Sequence, residues 1–140
     1  MREIICRGKD LDNKWRIGYL GVFKGKAQIF VPFTAEEEKE NEGHFLSAIG
    51  GLWYNVKPET VGQYTGLTDK NGKKIFEGDI VDMNGKGCGF KRIECVKYDE
   101  GGFSPIAVAG WECTPYHNEI EIIGNIHDNS ELMGGDANAN

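Results

Sequence analysis

The sequence predicts a mainly β protein with few, short helices, arranged as an N-terminal β meander over residues 1–60 and a second β unit over residues 61–133. Three observations carry that prediction. Apolar and polar residues alternate with a period of two in segment after segment, as in strands with one buried face. No long stretch holds a helical stripe of apolar positions. Glycine supplies 20 of 140 residues, about twice its ordinary share, as turns and bulges between short strands require. A length of 140 residues makes one ordinary domain or two very small ones.

The elements follow in order. A first strand is read at Arg2–Arg7, with turn formers from Gly8 to Asn13 behind it. Residues 14–23 alternate cleanly: Trp15, Ile17, Tyr19, Gly21 and Phe23 share one face, and Lys14, Arg16, Gly18, Leu20 and Val22 the other. Lys24-Gly25-Lys26 turns the chain into a third strand, where Ala27, Ile29, Val31 and Phe33 share a face. Residues 34–43 break the pattern with clustered glutamates; they read as an acidic loop or a short exposed helix capped by Thr34. Residues 44–56 regain apolar character and read as a bent strand or a hairpin around Gly50-Gly51. Asn71-Gly72 is assigned the positive φ angles of a tight turn. Lys74–Met83 then ends in a strand closed by a turn over residues 84–87, and further strands follow at about 90–98 and Phe103–Trp111. A last strand at Glu119–His127 places Ile120, Ile122 and Ile126 inward, and residues 134–140 read as a disordered tail.

Charge narrows the function classes. The formal charge is −6 from 16 basic and 22 acidic residues. Residues 1–31 carry seven basic and three acidic groups, residues 68–98 seven and five, and residues 99–140 none and eight. A nucleic-acid binder draws most of its affinity from phosphate neutralisation. Two modestly basic segments in an acidic chain therefore read first as solvated faces, with nucleic-acid binding through 1–31 and 68–98 as the alternative. No apolar run is long enough to span a bilayer, so no membrane partner is expected. The opening Met1-Arg2-Glu3-Ile4-Ile5-Cys6-Arg7 carries charges where a signal peptide needs apolar residues, which points to the cytoplasm. Cys6, Cys88, Cys95 and Cys113 form no C-x-x-C pair and read as reduced thiols; a metal site would need Cys113, His117 and distant partners.

The strongest local signal is Gln63-Tyr64-Thr65-Gly66-Leu67-Thr68-Asp69-Lys70-Asn71-Gly72-Lys73-Lys74-Ile75-Phe76-Glu77-Gly78-Asp79-Ile80-Val81. This stretch closely resembles the signature of the YopX family of phage and prophage proteins. The opening Arg2-Glu3-Ile4-Ile5-Cys6-Arg7-Gly8 and the closing Ile120-Glu121-Ile122-Ile123-Gly124-Asn125-Ile126 with Asp128-Asn129-Ser130-Glu131-Leu132 also look like that family. The resemblance implies a β-rich fold whose C-terminal part, residues 61–133, is an SH3-like small barrel. It also implies an origin in a phage genome or prophage, and no established biochemical activity. Glu77-Gly78-Asp79-Ile80-Val81 by itself also reads as the start of a small-barrel strand.

The chemistry-bearing residues point the same way. Glu77 and Asp79 are spaced to share a face as an acid/base pair would, but carboxylates beside a glycine turn more often cap backbone N–H groups. Asp69-Lys70-Asn71-Gly72 resembles the start of a calcium loop without its later carboxylates. His44, His117 and His127 lie in no motif, and Gly85-Lys86-Gly87-Cys88-Gly89 completes neither a P-loop nor a dinucleotide fingerprint. No catalytic residue, cofactor or metal is expected. Trp15, Trp53, Tyr54, Tyr64, Phe76, Tyr98, Phe103 and Trp111 could form a stacking or docking surface, although most are expected in the core. The reading is a non-catalytic interaction protein that binds a host or phage protein. An uncharacterised enzyme is the third choice, and a homo-oligomer formed through the meander is anticipated.

Overall fold

The computed structural model describes residues 4–83, 93–99, 102–104 and 120–133. The expected turn at 84–87, the strand from 105 onward and the tail at 134–140 lie outside these residues, as do Cys88, Cys113, His117 and Trp111. The elements are β1 (Cys6–Lys9), β2 (Trp15–Phe23), β3 (Lys26–Pro32), α1 (Ala35–Glu40), α2 (Phe45–Ile49), β4 (Gly51–Val56), β5 (Gly62–Thr68), β6 (Lys74–Phe76), β7 (Asp79–Asp82), β8 (Ile93–Cys95), β9 (Lys97–Asp99), β10 (Gly102–Ser104) and β11 (Glu121–Asn125). Short 3-10 turns lie at Pro58–Thr60 and Ser130–Met133. The fold is mainly β, and every pairing among the described residues is antiparallel.

The chain divides into two compact units, one of Ile4–Gln63 and one containing the described residues from Tyr64 onward. In the first, the strands run in the order β4-β3-β2-β1, and the start of β5 pairs with β1 at Cys6↔Gln63 and Arg7↔Gly62. This sheet curls back on itself. Asp10, just past β1, bridges Val56 at the end of β4, and the Lys57 N–H donates to the Lys9 carbonyl at 2.8 Å. The Thr60 hydroxyl locks the corner, accepting from the Lys9 N–H at 2.8 Å and donating to the Lys57 carbonyl at 2.7 Å. Inside the curl lie Ala27, Ile29 and Val56, flanked by Val31 and Val61. Alternation along β3 had assigned Ala27, Ile29 and Val31 to one face, and that face is the inner one.

The second unit is centred on β7, which pairs with β11 on one side and β8 on the other. Its core is Ile75, Val81, Met83, Val96, Phe103 and Ile120, with Leu67 and Ile122 packed against it. Ile120 is fully buried and Ile122 half-buried, while a register shift between Ile122 and Gly124 ends the simple alternation expected along the last strand.

Several elements differ from expectation. The first strand described is Cys6–Lys9, paired over its length with Trp15–Gly18 of β2, while Ile4 and Ile5 precede it outside any strand and Arg2 and Glu3 of the expected Arg2–Arg7 lie outside the described residues. Residues 44–56 are neither a bent strand nor a hairpin: α2 ends at Ile49, Gly50 takes φ +78°, and β4 begins at Gly51. The strand expected at 90–98 breaks at Val96. Its N–H donates to Asp79 and its carbonyl accepts from Gly78, so β8 stays with β7 while β9 turns to β10. The acidic stretch is the short helix of the two alternatives. Thr34 and Glu37 form a reciprocal capping box, with Thr34 Oγ1 accepting from the Glu37 N–H at 3.2 Å and Glu37 Oε1 from the Thr34 N–H at 3.0 Å.

Candidate functional site

The signature residues Gln63–Asp79 fold into β5, β6 and the turns around them, and their polar side chains serve the backbone. Asp69 is buried; its Oδ1 accepts from the N–H groups of Asn71 and Lys73 at 2.9 and 3.0 Å, and its Oδ2 from that of Ile122 at 3.0 Å. Asp79, also buried, accepts from the Phe76 N–H at 2.7 Å across the Glu77-Gly78 turn. Thr65 donates to the Ile75 carbonyl at 2.9 Å and accepts from the Leu67 N–H at 3.2 Å, holding the irregular pairing of β5 and β6. Tyr64 and Phe76 pack ring to ring at 5.5 Å, and Ile75 is fully buried. Gln63 is half-buried beside Cys6, and Gly66, Gly72 and Gly78 all take positive φ. Glu77 and Asp79 do not come together as an acid/base pair: Asp79 is inside and Glu77 half-buried on the turn.

Gly72 has φ +80° and Gly78 φ +94°. A side chain at either would hold an L residue in the left-handed region, at a cost of about 1–2 kcal/mol and more for a β-branched residue. Gly72→Val and Gly78→Val are therefore expected to lower the urea midpoint clearly, and Glu77→Gln to leave it nearly unchanged.

One device was missed in the sequence. Asp10-Leu11-Asp12-Asn13-Lys14 and Asp69-Lys70-Asn71-Gly72-Lys73 build the same turn. In each, the leading aspartate accepts from the N–H groups two and four residues on, and its own N–H donates to the carbonyl of the lysine. The fourth residue takes positive φ, Asn13 at +63° and Gly72 at +80°. Asn71 does not, which corrects the two-residue turn expected there: the loop has three residues with a left-handed last position, the geometry of a G1 bulge. The shared pattern Asp-x-Asx-Asn/Gly-Lys was the available signal. Asp10 also holds Arg16 Nε at 2.8 Å. The Lys14 N–H foremost outweighs burial and, with Arg16 and the Asp12 N–H, keeps this carboxyl below its ordinary range.

The surface with binding character lies on the first unit. Register places Tyr19, Phe30 and Trp53 side by side across β2, β3 and β4. Phe30 and Trp53 pack at 5.2 Å, and the far rim of the Trp53 indole lies over Gly21. This row is on the outer side of the curl. Tyr19 is 51% exposed, Trp53 53% and Phe23, at the hairpin end, 73%. Trp15 shares this side, with Arg7 4.8 Å and Lys9 5.4 Å from its ring centroid. By alternation and register no carboxylate from β1–β4 faces this side; its charged residues are Arg7, Lys9 and Lys26. Of the aromatic candidates described, Tyr64, Phe76 and Phe103 are buried, Trp15 and Tyr54 half-buried, and Trp53 and Tyr98 exposed. The expectation that most would be core is thus met in the second unit only for Tyr64, Phe76 and Phe103, and in the first unit for none. A curled sheet with so small an interior cannot bury both of its faces.

Among the described residues, no group of three or more His, Cys, Asp or Glu side chains is placed to hold a metal ion, and no helix is long and apolar enough to cross a membrane. A family model described as YopX protein matches residues 28–134. The crystal structure of protein EF1440 from Enterococcus faecalis is similar, with a TM-score of 0.53 and 20% sequence identity over 95% of this chain and 99% of that one. At that identity the likeness is one of fold. Among curated proteins, no match is found.

Proposed function

The chain belongs to the YopX family, and on that premise we propose that it is a non-catalytic, phage- or prophage-encoded interaction protein of the host cytoplasm. It binds a host or phage protein, and its second unit is an SH3-type small barrel. The observation that carries the binding reading is the row Tyr19–Phe30–Trp53, with Tyr19 and Trp53 exposed and Phe30 half-buried between them, on a sheet face without carboxylates. Covering the exposed half of one such ring, on the order of 100 Å², contributes roughly 2–3 kcal/mol to a complex. The signature carboxylates Asp69 and Asp79 support the non-catalytic reading, since their oxygens accept from backbone amides.

Protein is favoured over nucleic acid by two observations. The rings are accompanied on their own face by an aliphatic residue, the exposed Ile17, which adds nothing to base stacking. Residues 4–63 carry eight basic and eight acidic side chains, a net of zero, so counterion release would contribute little. The test is affinity purification from infected cells with the wild type, Glu77→Gln and the double variant Tyr19→Ser/Trp53→Ser, circular dichroism confirming the fold of each. One partner protein is expected with the first two and absent from the third. Equal recovery by the double variant, or loss with Glu77→Gln, would overturn the proposal.

A further inference from the structure

We infer that the segment seated on this face is an acidic, extended peptide, gripped by Lys24 and Lys26 at the tip of the β2–β3 hairpin. The inference rests on the reading that the face binds protein. The tip is built for charge. Lys24 and Gly25 take φ +52° and +75°, so the turn is held in the mirror-image form that suits a twisted hairpin. Lys24 Nζ lies 5.5 Å from the Phe23 ring, and Lys26 is the cross-strand partner of Phe23. One ammonium group therefore lies beside an exposed ring, and a second lysine stands opposite that ring across the strand pair. Both lysines are exposed, and neither makes an ion pair among the described residues.

The chain's own dense acidic segment is placed away from this tip. The glutamates of α1 follow the far end of β3, and six residue steps along that strand separate Lys26 from Pro32, about 20 Å. A segment lying along the face thus meets positive charge at the hairpin end and no carboxylate from the strands beneath it. At the same end a groove of about 310 Å³ opens toward the inner side of the curl, lined by Leu11, Gly25, Lys26, Ala27, Asn55, Val56 and Pro58. Acidic residues on Lys24 and Lys26 and apolar residues on the rings would use the outer face, and a chain end passing over the hairpin tip would reach the groove.

The test uses fluorescein-labelled probes of about twelve units, the span of a peptide lying across such a face. The probes are an alternating Glu/Leu/Pro peptide, the same peptide with Lys for Glu, and oligo-dT. Binding to the full chain is followed by fluorescence anisotropy. The acidic peptide is expected to bind and the basic one not. Lys26→Glu should weaken binding by on the order of tenfold, with a steeper loss at high salt in the wild type than in the variant. Lys39→Glu on α1 makes the same charge change away from the hairpin tip and should leave affinity unaltered. Trp53→Ser should weaken binding at every salt concentration. Equal binding of the basic peptide, tighter binding of oligo-dT, or no binding of the acidic peptide overturns the inference. If partner capture still depends on Tyr19 and Trp53 while the acidic peptide fails to bind, the peptide chemistry is wrong and the protein-binding reading stands.

Discussion

Gly18→Ala is expected to be the most damaging single-methyl change among the described glycines. A Cβ at this position would lie 2.0 Å from the Phe30 carbonyl oxygen, 2.9 Å from its carbon and 3.2 Å from Ile29 Cγ2. The nearest obstacles are backbone, so no side chain can swing aside; β2 and β3 must separate just where β2 hands over from β1 to β3. Overpacking of this kind costs on the order of 3 kcal/mol. For a unit this small that corresponds to a fall in melting temperature of roughly 10–20 °C. The loss should register by circular dichroism, together with weaker probe binding, since the row across β2–β4 depends on the same register. Gly25→Ala is the control. Its added Cβ meets nothing within 4 Å, and only the left-handed backbone resists it, at about 1 kcal/mol. A Gly18→Ala protein melting within a few degrees of wild type would show that the two strands have slack at the crossing.

Asp69→Ala is expected to cost about 3 kcal/mol, because three backbone N–H groups lose a charged acceptor at once. Two of them close the β5–β6 turn and the third belongs to Ile122 on β11, so the change unties pieces of chain 53 positions apart. The same carboxylate makes stability depend on pH. Burial by itself would raise its pKa, but the N–H groups of Ile122, Lys73 and Asn71 together outweigh burial and hold it below the ordinary value of 3.8. A carboxyl with a depressed folded-state pKa stabilises the protein above the unfolded-state value, and that contribution is lost as pH falls through the folded-state value. Wild-type stability should therefore fall below roughly pH 4, and Asp69→Asn should show a smaller fall over the same interval at a lower overall stability. Urea midpoints between pH 2 and 6 measure both. Parallel curves for the two proteins would remove Asp69 as the source.

Local chemistry was legible in the amino-acid sequence wherever neighbours along the chain settle the outcome. Thr34 and Glu37 meet within one helical turn, and Ala27, Ile29 and Val31 share a face because a strand alternates; the Asp69 turn, just as local, carried its signal in the shared Asp-x-Asx-Asn/Gly-Lys pattern although it was missed. These interactions close over a few residues and need no partner from elsewhere. The acid-cap reading of Asp79 and the special backbone at Gly72 and Gly78 belong to the same class. What the sequence could not determine is which side of an alternating strand is inside. Trp15, Ile17, Tyr19 and Phe23 were grouped correctly, yet they face outward, because the return of Val56 to Asp10 encloses the other side. The row Tyr19–Phe30–Trp53 exists only once two registers are chosen, and a slip of one residue in either would send its members to opposite faces. Val96 looked like mid-strand until Gly78 and Asp79 took its backbone bonds. Strand periodicity is a property of one segment, whereas closure, register and choice of partner strand depend on residues far apart in the chain, so only the tertiary structure decided where this protein keeps its core and where it presents its rings.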